Sequence, residues 1–206
     1  MDIKDLNIVG VKLKSLKTWP DDRGFFREII RVSDPFFTDE NAIKEGENSA
    51  PFFQWSHSKM AKNTVKAWHF HHRQVDWWYV ARGIVEVVLF DNREESPTYK
   101  SKIDFVMGDP DHLPEGLSSC RDEQLRKDDV NCSVVKIPQG VLHGCKVLSE
   151  EAELFYITSQ IYNPNDEGRI PFNSELVSHN WGEESDLIIA EKDRNLFIPT
   201  QPRVLL

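Results

Sequence analysis

Two histidines separated by one residue, His69 and His71, are the first feature of the sequence that could perform chemistry. Imidazole groups titrate near neutral pH and also bind transition metals, so they serve as general bases or as ligands. On a β-strand, His69 and His71 would point to one face, and Trp68, Phe70 and His72 to the other, because side chains alternate. We therefore expect both histidines on one side of a sheet.

Short segments rich in β-branched and aromatic residues must position these histidines. The strongest covers residues 76–90, where WWYVARGIVEVVLF predicts two strands that turn at Arg82-Gly83, since glycine permits a positive φ. Many short strands with frequent turns indicate an all-β sandwich or barrel. The other predicted strands are residues 10–16, 24–32, 51–59, 64–71, 101–107, 132–137, 145–148 and 153–162.

Two segments interrupt the predicted strands. Residues 34–50 are typical of a loop with room for one helical turn. Residues 108–131 carry two prolines, two glycines and much charge, and a loop of this length is uncommon inside a domain, so we expect a lid or a tolerated insertion. From residue 183 onward we expect a packing appendage with a short helix near 190–196. We predict one domain over residues 1–206.

The composition excludes several classes of protein. The chain has 206 residues, of which 39% are hydrophobic, and a net charge of −9, which argues against general affinity for nucleic acid or anionic membranes. Its three cysteines, Cys120, Cys132 and Cys145, lack the spacing of a metal site and are typical of free thiols in a reducing compartment. The N-terminal segment lacks an uninterrupted apolar stretch, which predicts a cytoplasmic protein without a signal peptide or membrane anchor.

Downstream motifs extend the histidine pair. Asp76 and Gly83 follow it, and IPQGVLHG supplies Pro138, Gly140 and His143 on what we expect to be a facing hairpin. Together these residues resemble the two sequence motifs of the cupin superfamily, a group of jelly-roll β-barrels. In metal-binding cupins the corresponding side chains converge on one ion. By that resemblance the candidate ligands are His69, His71, Asp76 and His143.

A closer resemblance covers most of the chain. Five segments are similar, in order, to motifs of the dTDP-4-dehydrorhamnose 3,5-epimerase family, and they include the run SPTY, the Pro-x-Gly-x-x-His-Gly motif and the Tyr-x5-Tyr-x-Pro motif. The resemblance implies a double-stranded β-barrel with a short C-terminal helical segment. The five segments are DDRGFFREI, FFQWSHSKMAKNTVKAWHF, VARGIVEVVLFDNREESPTY, IPQGVLHGCKVLSEEAELFYITSQIYNPNDEGRIPFN and AEKD.

The reaction of that family explains the residue types. A 4-keto sugar has acidified protons at C3 and C5, so a base can remove one, and an acid can return a proton from the opposite ring face. The resemblance implies that His69 is the base, that Asp193 fixes its tautomer, and that Tyr156 is the acid. Lys66 stands where the family commonly has arginine, and it keeps the positive charge without the bidentate fork.

The same resemblance implies a substrate pocket, a partner and no cofactor. The substrate is a nucleotide sugar, the reaction needs no cofactor, and family members are generally homodimers that pair strands. An exposed sheet edge near the N-terminus would suit such a dimer. The positions that match substrate-contacting residues are Arg23, Phe26, Glu28, Gln54, His143, Tyr162 and Glu167.

Asp76 is the main departure from the family pattern, since it stands where a lysine near the enolate is expected. A carboxylate about 4 Å from a developing oxyanion is unfavourable by roughly 4 kcal/mol at an effective dielectric near 20. A metal ligated by His69, His71, Asp76 and His143 would restore positive charge, but His69 cannot be both ligand and base. We therefore expect a metal-free enzyme in which Asp76 pairs with Lys66 or Arg73. Ser56 replaces an expected asparagine, so the sugar and the centres inverted stay open.

The favoured function is epimerisation at C3, C5 or both of a nucleotide-linked 4-keto-6-deoxy sugar, in deoxysugar and surface-polysaccharide synthesis. Three alternatives remain. A sugar-nucleotide 3,4-ketoisomerase also uses paired histidines, although the segment from Tyr156 to Asp193 argues against it. A metal-dependent cupin enzyme would use the four candidate ligands. A sugar-binding cupin without catalytic activity would not need His69, Tyr156 and Asp193 to converge.

Overall fold

The computed structural model describes residues 2–31, 33–38, 54–119 and 124–199, which form mainly β-strands and confirm the all-β prediction. Five short 3₁₀ helices lie between them in the described part, at Pro35–Phe37, Pro110–His112, Lys127–Asp129, Glu184–Asp186 and Glu191–Arg194. The strands are β1 (Ile3–Asp5), β2 (Lys12–Ser15), β3 (Thr18–Asp21), β4 (Gly24–Arg27), β5 (Gln54–Ala61), β6 (Thr64–His71), β7 (Asp76–Arg82), β8 (Ile84–Asp91), β9 (Lys102–Gly108), β10 (Val130–Asn131), β11 (Ser133–Ile137), β12 (Val141–Val147), β13 (Glu151–Thr158), β14 (Glu167–Arg169) and β15 (Ile188–Ile189).

Two sheets form the fold. One has the strand order β1-β2-β11-β7-β13-β5, and the other has the order β10-β9-β8-β12-β6-β14 with β15 also paired to β6. A core of apolar side chains from both sheets lies between them, including Trp78 of β7, Val87 of β8 and Leu154 of β13. This is the double-stranded barrel expected from the motifs.

The turn at Arg82-Gly83 is confirmed, because Gly83 has φ +79° and a Cβ there would lie 2.1 Å from the Glu151 carbonyl oxygen. The strands on either side of this turn belong to different sheets. Strands β11 and β12 also belong to different sheets and do not pair with each other. The prediction that they form a hairpin facing the histidine strand is therefore wrong. Instead β12 pairs directly with β6, and His143 lies opposite His69 in the same sheet.

Burial explains this arrangement. Every residue of β8 is buried, since Val85, Val87 and Leu89 pack in the core between the sheets and Val88 and Phe90 pack under the C-terminal segment. Trp68 and Phe70, on the outward face of β6, pack against Phe172, Val177 and Trp181 of that segment. The C-terminal part is therefore a packing element, and its last 3₁₀ helix lies within the predicted helical range.

The two predicted interruptions differ from plain loops. Within 34–50 the described residues contain the one helical turn, while residues 39–53 lie outside the description. Within 108–131, apart from undescribed residues 120–123, the chain forms two 3₁₀ helices and β10, and its leucines pack against a small core. Sequence patterns missed the short strands β1, β3, β10, β14 and β15. In the described residues, no helix is long and apolar enough to cross a membrane.

Candidate active site

A pocket of about 410 Å³ opens between the two sheets, next to the C-terminal segment. Strands β6 and β12 supply one wall and strands β5, β7 and β13 supply the other, so the pocket receives side chains from both sheets. Its lining comprises Gln54, Lys66, His69, His71, Gln74, Asp76, Trp78, His143, Cys145, Leu154, Tyr156, Thr158, Tyr162, Glu167, Ala190, Lys192 and Asp193.

His69 lies between two carboxylates. Its Nε2 is 3.0 Å from Asp193 Oδ1, and its Nδ1 is 3.2 Å from Glu167 Oε1. Burial alone would lower the pKa of His69, but the hydrogen bonds with Asp193 and Glu167 outweigh it and raise the pKa above the usual value. The same contact with His69 lowers the pKa of Glu167 to about 2. The His69–Asp193 pairing expected from the resemblance is present.

Local structure explains how the two carboxylates reach His69. Strand β14 pairs with β6, and a Cβ at Gly168 would lie 2.1 Å from the Phe70 ring, so only glycine permits this approach. Asp193 lies in the last 3₁₀ helix and is 1% exposed. Its carbonyl accepts a hydrogen bond from the Phe172 backbone, 2.9 Å away, which fixes the segment against the sheet.

Tyr156 approaches the pocket from the opposite sheet. It lies on β13, where Leu154 and Thr158 share its face and also line the pocket, as alternation requires. Tyr162 follows on the chain, and its backbone nitrogen donates to Gln54 Oε1 at 2.9 Å. The predicted base and the predicted acid therefore enter one pocket from two different walls.

Lys66 supplies positive charge to the pocket. Its Nζ donates to Ser58 Oγ at 2.6 Å. The contacts of Asp76 come from Gln74, Trp78 and His143, so the expectation that Asp76 pairs with Lys66 or Arg73 is wrong. The physical reason is direction, because Lys66 reaches across the pocket to Ser58 of β5 and not to β7, which lies in the same opposite wall.

Asp76 belongs to a second group of polar side chains in the pocket. Gln74 Nε2 donates to Asp76 Oδ1 at 2.6 Å, and Trp78 Nε1 donates to Asp76 Oδ2 at 3.2 Å. His143 Nε2 is 4.0 Å from Asp76 Oδ2. One nitrogen of His71, one of His143 and an oxygen of Asp76 all lie within 4.8 Å of one another.

His143 is buried and neutral. Burial lowers its pKa to about 4, an effect that the nearby Asp76 only partly opposes. Its Nδ1 lies 3.1 Å from the Val141 carbonyl oxygen, which can only accept, so Nδ1 carries the proton. The Nε2 lone pair therefore faces the pocket.

Three predicted substrate-binding residues lie outside the lining of this pocket. Arg23, Phe26 and Glu28 are on or next to the β3–β4 hairpin, and Arg23 pairs with Asp21 at 2.6 Å. Phe26 is 64% exposed. The other predicted binding residues, among them Gln54 and Tyr162, do line the pocket.

Comparison with known proteins identifies the family. The family model described as dTDP-4-dehydrorhamnose 3,5-epimerase matches residues 5–114 and 121–198. The chain belongs to this family. Its epimerases are enzymes of the isomerase class, as the sequence motifs predicted.

Relatives of this epimerase family include the spore coat polysaccharide biosynthesis protein SpsL of Bacillus subtilis, which is 36% identical over 86% of this chain and 98% of its own. The dTDP-4-dehydrorhamnose 3,5-epimerase of Salmonella typhimurium is 31% identical over 84% of this chain and 82% of its own. The crystal structure of NovW, a 4-keto-6-deoxy sugar epimerase of Streptomyces spheroides, superimposes with a TM-score of 0.71 at 23% identity, covering 96% of this chain and 87% of that one. It supports the fold.

The sequence analysis did not identify several residues that line the pocket of this epimerase. Trp78 follows Asp76 by two residues on β7, so alternation was a signal for it, whereas Gln74 lies before the strand begins and had no such signal. Lys192 precedes Asp193 and enters the pocket from the same helix. Cys145 and Thr158 carry no local signature that would distinguish a pocket residue from a core residue.

Proposed function

We propose that this protein epimerises C3, C5 or both of a nucleotide-linked 4-keto-6-deoxy sugar through an enolate. One observation carries the proposal: His69, held by Asp193, and Tyr156 enter the same pocket from opposite sheets. A group that removes a proton and a group that returns one from the other ring face need this placement.

His69 is the proposed base. Asp193 holds Nε2, so Nδ1 is the atom that accepts the proton from the sugar carbon. The electrons of the broken C–H bond form the enolate, and Asp193 stabilises the imidazolium that results. Glu167, which contacts Nδ1, also accepts a hydrogen bond from Arg169 at 3.0 Å. The carboxylate therefore keeps a partner when the sugar displaces it from His69.

Tyr156 is the proposed acid. Its hydroxyl proton passes to the carbanionic carbon on the face opposite His69, which inverts the centre. Lys66 is one source of positive charge near the developing oxyanion, because its ammonium group lines the pocket.

The substrate is proposed from the family and its relatives. The family's name indicates a dTDP-linked 4-keto-6-deoxy hexose, and one relative is named as a spore coat polysaccharide biosynthesis protein. Gln54, Tyr162, His143 and Glu167 are the proposed contacts to the sugar or its nucleotide. A cytoplasmic location stays a prediction.

A homodimer is the proposed assembly. The edge strand β1 is exposed at all three residues, and the β3–β4 hairpin exposes Trp19, Phe25 and Phe26. If Arg23 and Phe26 bind substrate, they do so at the pocket of a partner protomer. Light scattering should then give about twice 23.9 kDa, and Phe26→Ser should weaken the dimer. A wild-type monomer at micromolar concentration would contradict this assembly.

The test of the function is solvent-proton exchange on a panel of 4-keto nucleotide sugars in D₂O. His69→Asn should lower exchange by roughly 100-fold to 10,000-fold, the usual contribution of a general base. His57→Gln is the matched control, because His57 lies on β5, half exposed, outside the pocket lining. Exchange by His69→Asn within tenfold of wild type would contradict the assignment.

Tyr156→Phe should separate the two half-reactions. The variant keeps the base, so it should still exchange a substrate proton, while formation of inverted product falls at least tenfold further than exchange. An equal loss of both activities would assign Tyr156 to binding. Normal product formation with a lower melting temperature would assign it to the core.

A further inference from the structure

The carboxylate of Asp193 is held at the proposed base by the backbone that carries it. Its Oδ1 lies 3.0 Å from His69 Nε2, and among the described residues this carboxylate makes no other hydrogen bond. The residue is 1% exposed, so bulk solvent does not support the carboxylate either. Whatever fixes the backbone at Asp193 therefore also fixes the carboxylate at His69.

Two backbone hydrogen bonds fix the chain at Asp193. Its amide donates to the Ala190 carbonyl at 2.9 Å, at the start of the last 3₁₀ helix. Its own carbonyl accepts from the Phe172 amide at 2.9 Å. The first bond lies within the short helix, whereas the second ties that helix to the segment that follows β14. Phe172 is therefore the contact through which the sheet positions Asp193.

Two buried tryptophans hold Phe172 from its other side. Trp68 Nε1 donates to the Phe172 carbonyl oxygen at 3.0 Å, and Trp181 Nε1 donates to the same oxygen at 3.2 Å. A carbonyl oxygen has two lone pairs, so the two indoles use both. The ring centroids of Trp68 and Trp181 lie 5.0 Å apart in a close-packed cluster, so neither ring can turn without displacing the other.

We propose that Trp68 and Trp181 are positioning residues for the base. Their indole N–H groups hold Phe172, and Phe172 in turn holds the backbone of Asp193. Neither tryptophan lines the pocket, so both act on His69 only through Asp193. The inference rests on the proposed function, in which Asp193 orients the imidazole and stabilises the imidazolium.

The sequence of β6 links the base to the support of its carboxylate. Because side chains alternate along a strand, His69 faces the pocket while Trp68 faces the C-terminal segment. The Trp68 amide and carbonyl both pair with the backbone of Ile170 at 3.0 Å, which ties that segment to β6 beside the base. Lys146 Nζ donates to the Trp181 carbonyl at 2.6 Å and so fastens the second indole to the sheet.

Trp181→Phe removes one indole N–H group and keeps an aromatic ring. A displacement of about 1 Å from the productive geometry can lower a rate roughly 100-fold. The Phe172 carbonyl keeps its bond from Trp68 in this variant, so the displacement of Asp193 should be smaller. We expect kcat to fall about 10-fold. KM should stay within about threefold of wild type, because Trp181 does not line the pocket.

Trp77→Phe is the matched control. Trp77 is also fully buried, and its Nε1 donates to the Phe36 carbonyl at 2.9 Å. This bond belongs to a cluster on the outer face of the other sheet, which includes neither Asp193 nor a residue of the pocket lining. Both variants should lower the melting temperature, but kcat of Trp77→Phe should stay within about twofold of wild type. Equal losses of kcat in the two variants, per folded molecule, would overturn the proposal.

A double-variant cycle tests whether the indoles act through Asp193. Asp193→Ala removes the carboxylate that the indoles are proposed to position. In that background Trp181→Phe should change kcat by less than about twofold, because the group it would displace is gone. A further tenfold loss in that background would show that Trp181 acts independently of Asp193 and would contradict the inference.

Proton NMR distinguishes failure of the positioning role from failure of the proposed function. Since a carboxylate only accepts, His69 Nε2 carries the proton of the bond to Asp193, and its downfield signal reports that bond. The signal is identified by its absence in His69→Asn. Trp181→Phe should move it upfield or lose it to solvent exchange, whereas Trp77→Phe should leave it in place. If Trp181→Phe fails to fold, Trp68→Phe replaces it and removes the other donor to the same carbonyl.

The two readouts fail separately. The expected NMR difference without exchange on any 4-keto sugar would refute the epimerase activity and leave the positioning role. A signal that is identical in wild type and in the folded tryptophan variant would refute the positioning role and leave the epimerase.

Discussion

Two buried carboxylates, Asp91 at the end of β8 and Asp76 at the start of β7, have opposite surroundings. Asp91 is fully buried and accepts hydrogen bonds from the guanidinium of Arg93, at 2.8 Å, and from the hydroxyls of Ser96 and Thr98. Asp76 has only uncharged donors and faces a pocket. A carboxylate neutralised by its own loop stabilises the fold, whereas one that faces a pocket without a cation is available to a ligand.

The surroundings of Asp91 explain the SPTY run, residues 96–99, as a structural feature. Burial alone would raise the pKa of Asp91, but the hydrogen bonds from Arg93, Ser96 and Thr98 hold it well below the usual range. Arg93 also donates to the Val9 carbonyl oxygen at 2.7 Å, and Thr98 Oγ1 accepts from the Val9 backbone nitrogen at 3.0 Å. This part of the family resemblance therefore reports the anchoring of the N-terminal segment and not the chemistry.

The largest effect on stability is expected when Asp91 loses its cation. Arg93→Ala leaves a buried carboxylate without its cation, which should lower the free energy of unfolding by about 3 kcal/mol. Chemical denaturation of the wild type and the variant measures this. Per folded molecule, exchange activity should be unchanged, because Arg93 is absent from the pocket lining. A loss below about 1 kcal/mol would show that Asp91 does not need its cation.

Acid should remove the same stabilisation. The pKa of Asp91 is lower in the folded chain than in the unfolded chain, so its contribution is complete above about pH 5 and declines as the pH falls toward the folded-state pKa. Asp91→Asn should be less stable than wild type at pH 7, and the difference should shrink by pH 3. A constant difference across this range would contradict the assignment of Asp91 as a neutralised structural anion.

A smaller effect is expected for one hydroxyl. Thr98→Val keeps the shape of the side chain and removes the bond to Asp91 Oδ2, which is 2.7 Å long. The expected loss is about 1 to 2 kcal/mol, because the acceptor is charged and keeps its other donors. Thermal unfolding monitored by circular dichroism measures the shift. A stability equal to that of wild type would remove Thr98 from the network.

The smallest effect on stability is expected for Asp76→Asn. The amide oxygen of the variant can still accept from Gln74 or Trp78, and the variant removes a buried charge that lacks a cation. The free energy of unfolding should therefore change by less than about 1 kcal/mol. This result would complete the contrast with Arg93→Ala. A loss of about 3 kcal/mol would show that Asp76 is structural, as Asp91 is.

Some of this architecture could be predicted from the sequence. Alternation placed His69 and His71 on one face, and Gly83 marked its turn, because both signals are local. The assignment of strands to the two sheets could not be predicted, since the strands on either side of a turn pair with distant partners. His143 was therefore expected across the pocket, but it lies beside His69 in the same sheet.

The contacts of Asp76 could not be predicted from neighbouring residues in the sequence for the same reason. Lys66 and Arg73 are near it in sequence, but side-chain direction sends Lys66 to Ser58. Gln74 carries no motif, although its amide donates to Asp76 Oδ1. By contrast, Asp193 was found through the family resemblance, because a contact across 124 positions leaves no local signal.

The central claim is proton transfer at the carbons beside a ketone. The most direct measurement is turnover of a 4-keto-6-deoxy nucleotide sugar by wild-type protein in D₂O, read by mass and by NMR position. The account predicts one deuterium at each inverted centre, at C3, C5 or both, and none elsewhere on the ring. Conversion without solvent deuterium, or movement of the keto group from C4 to C3, would contradict it.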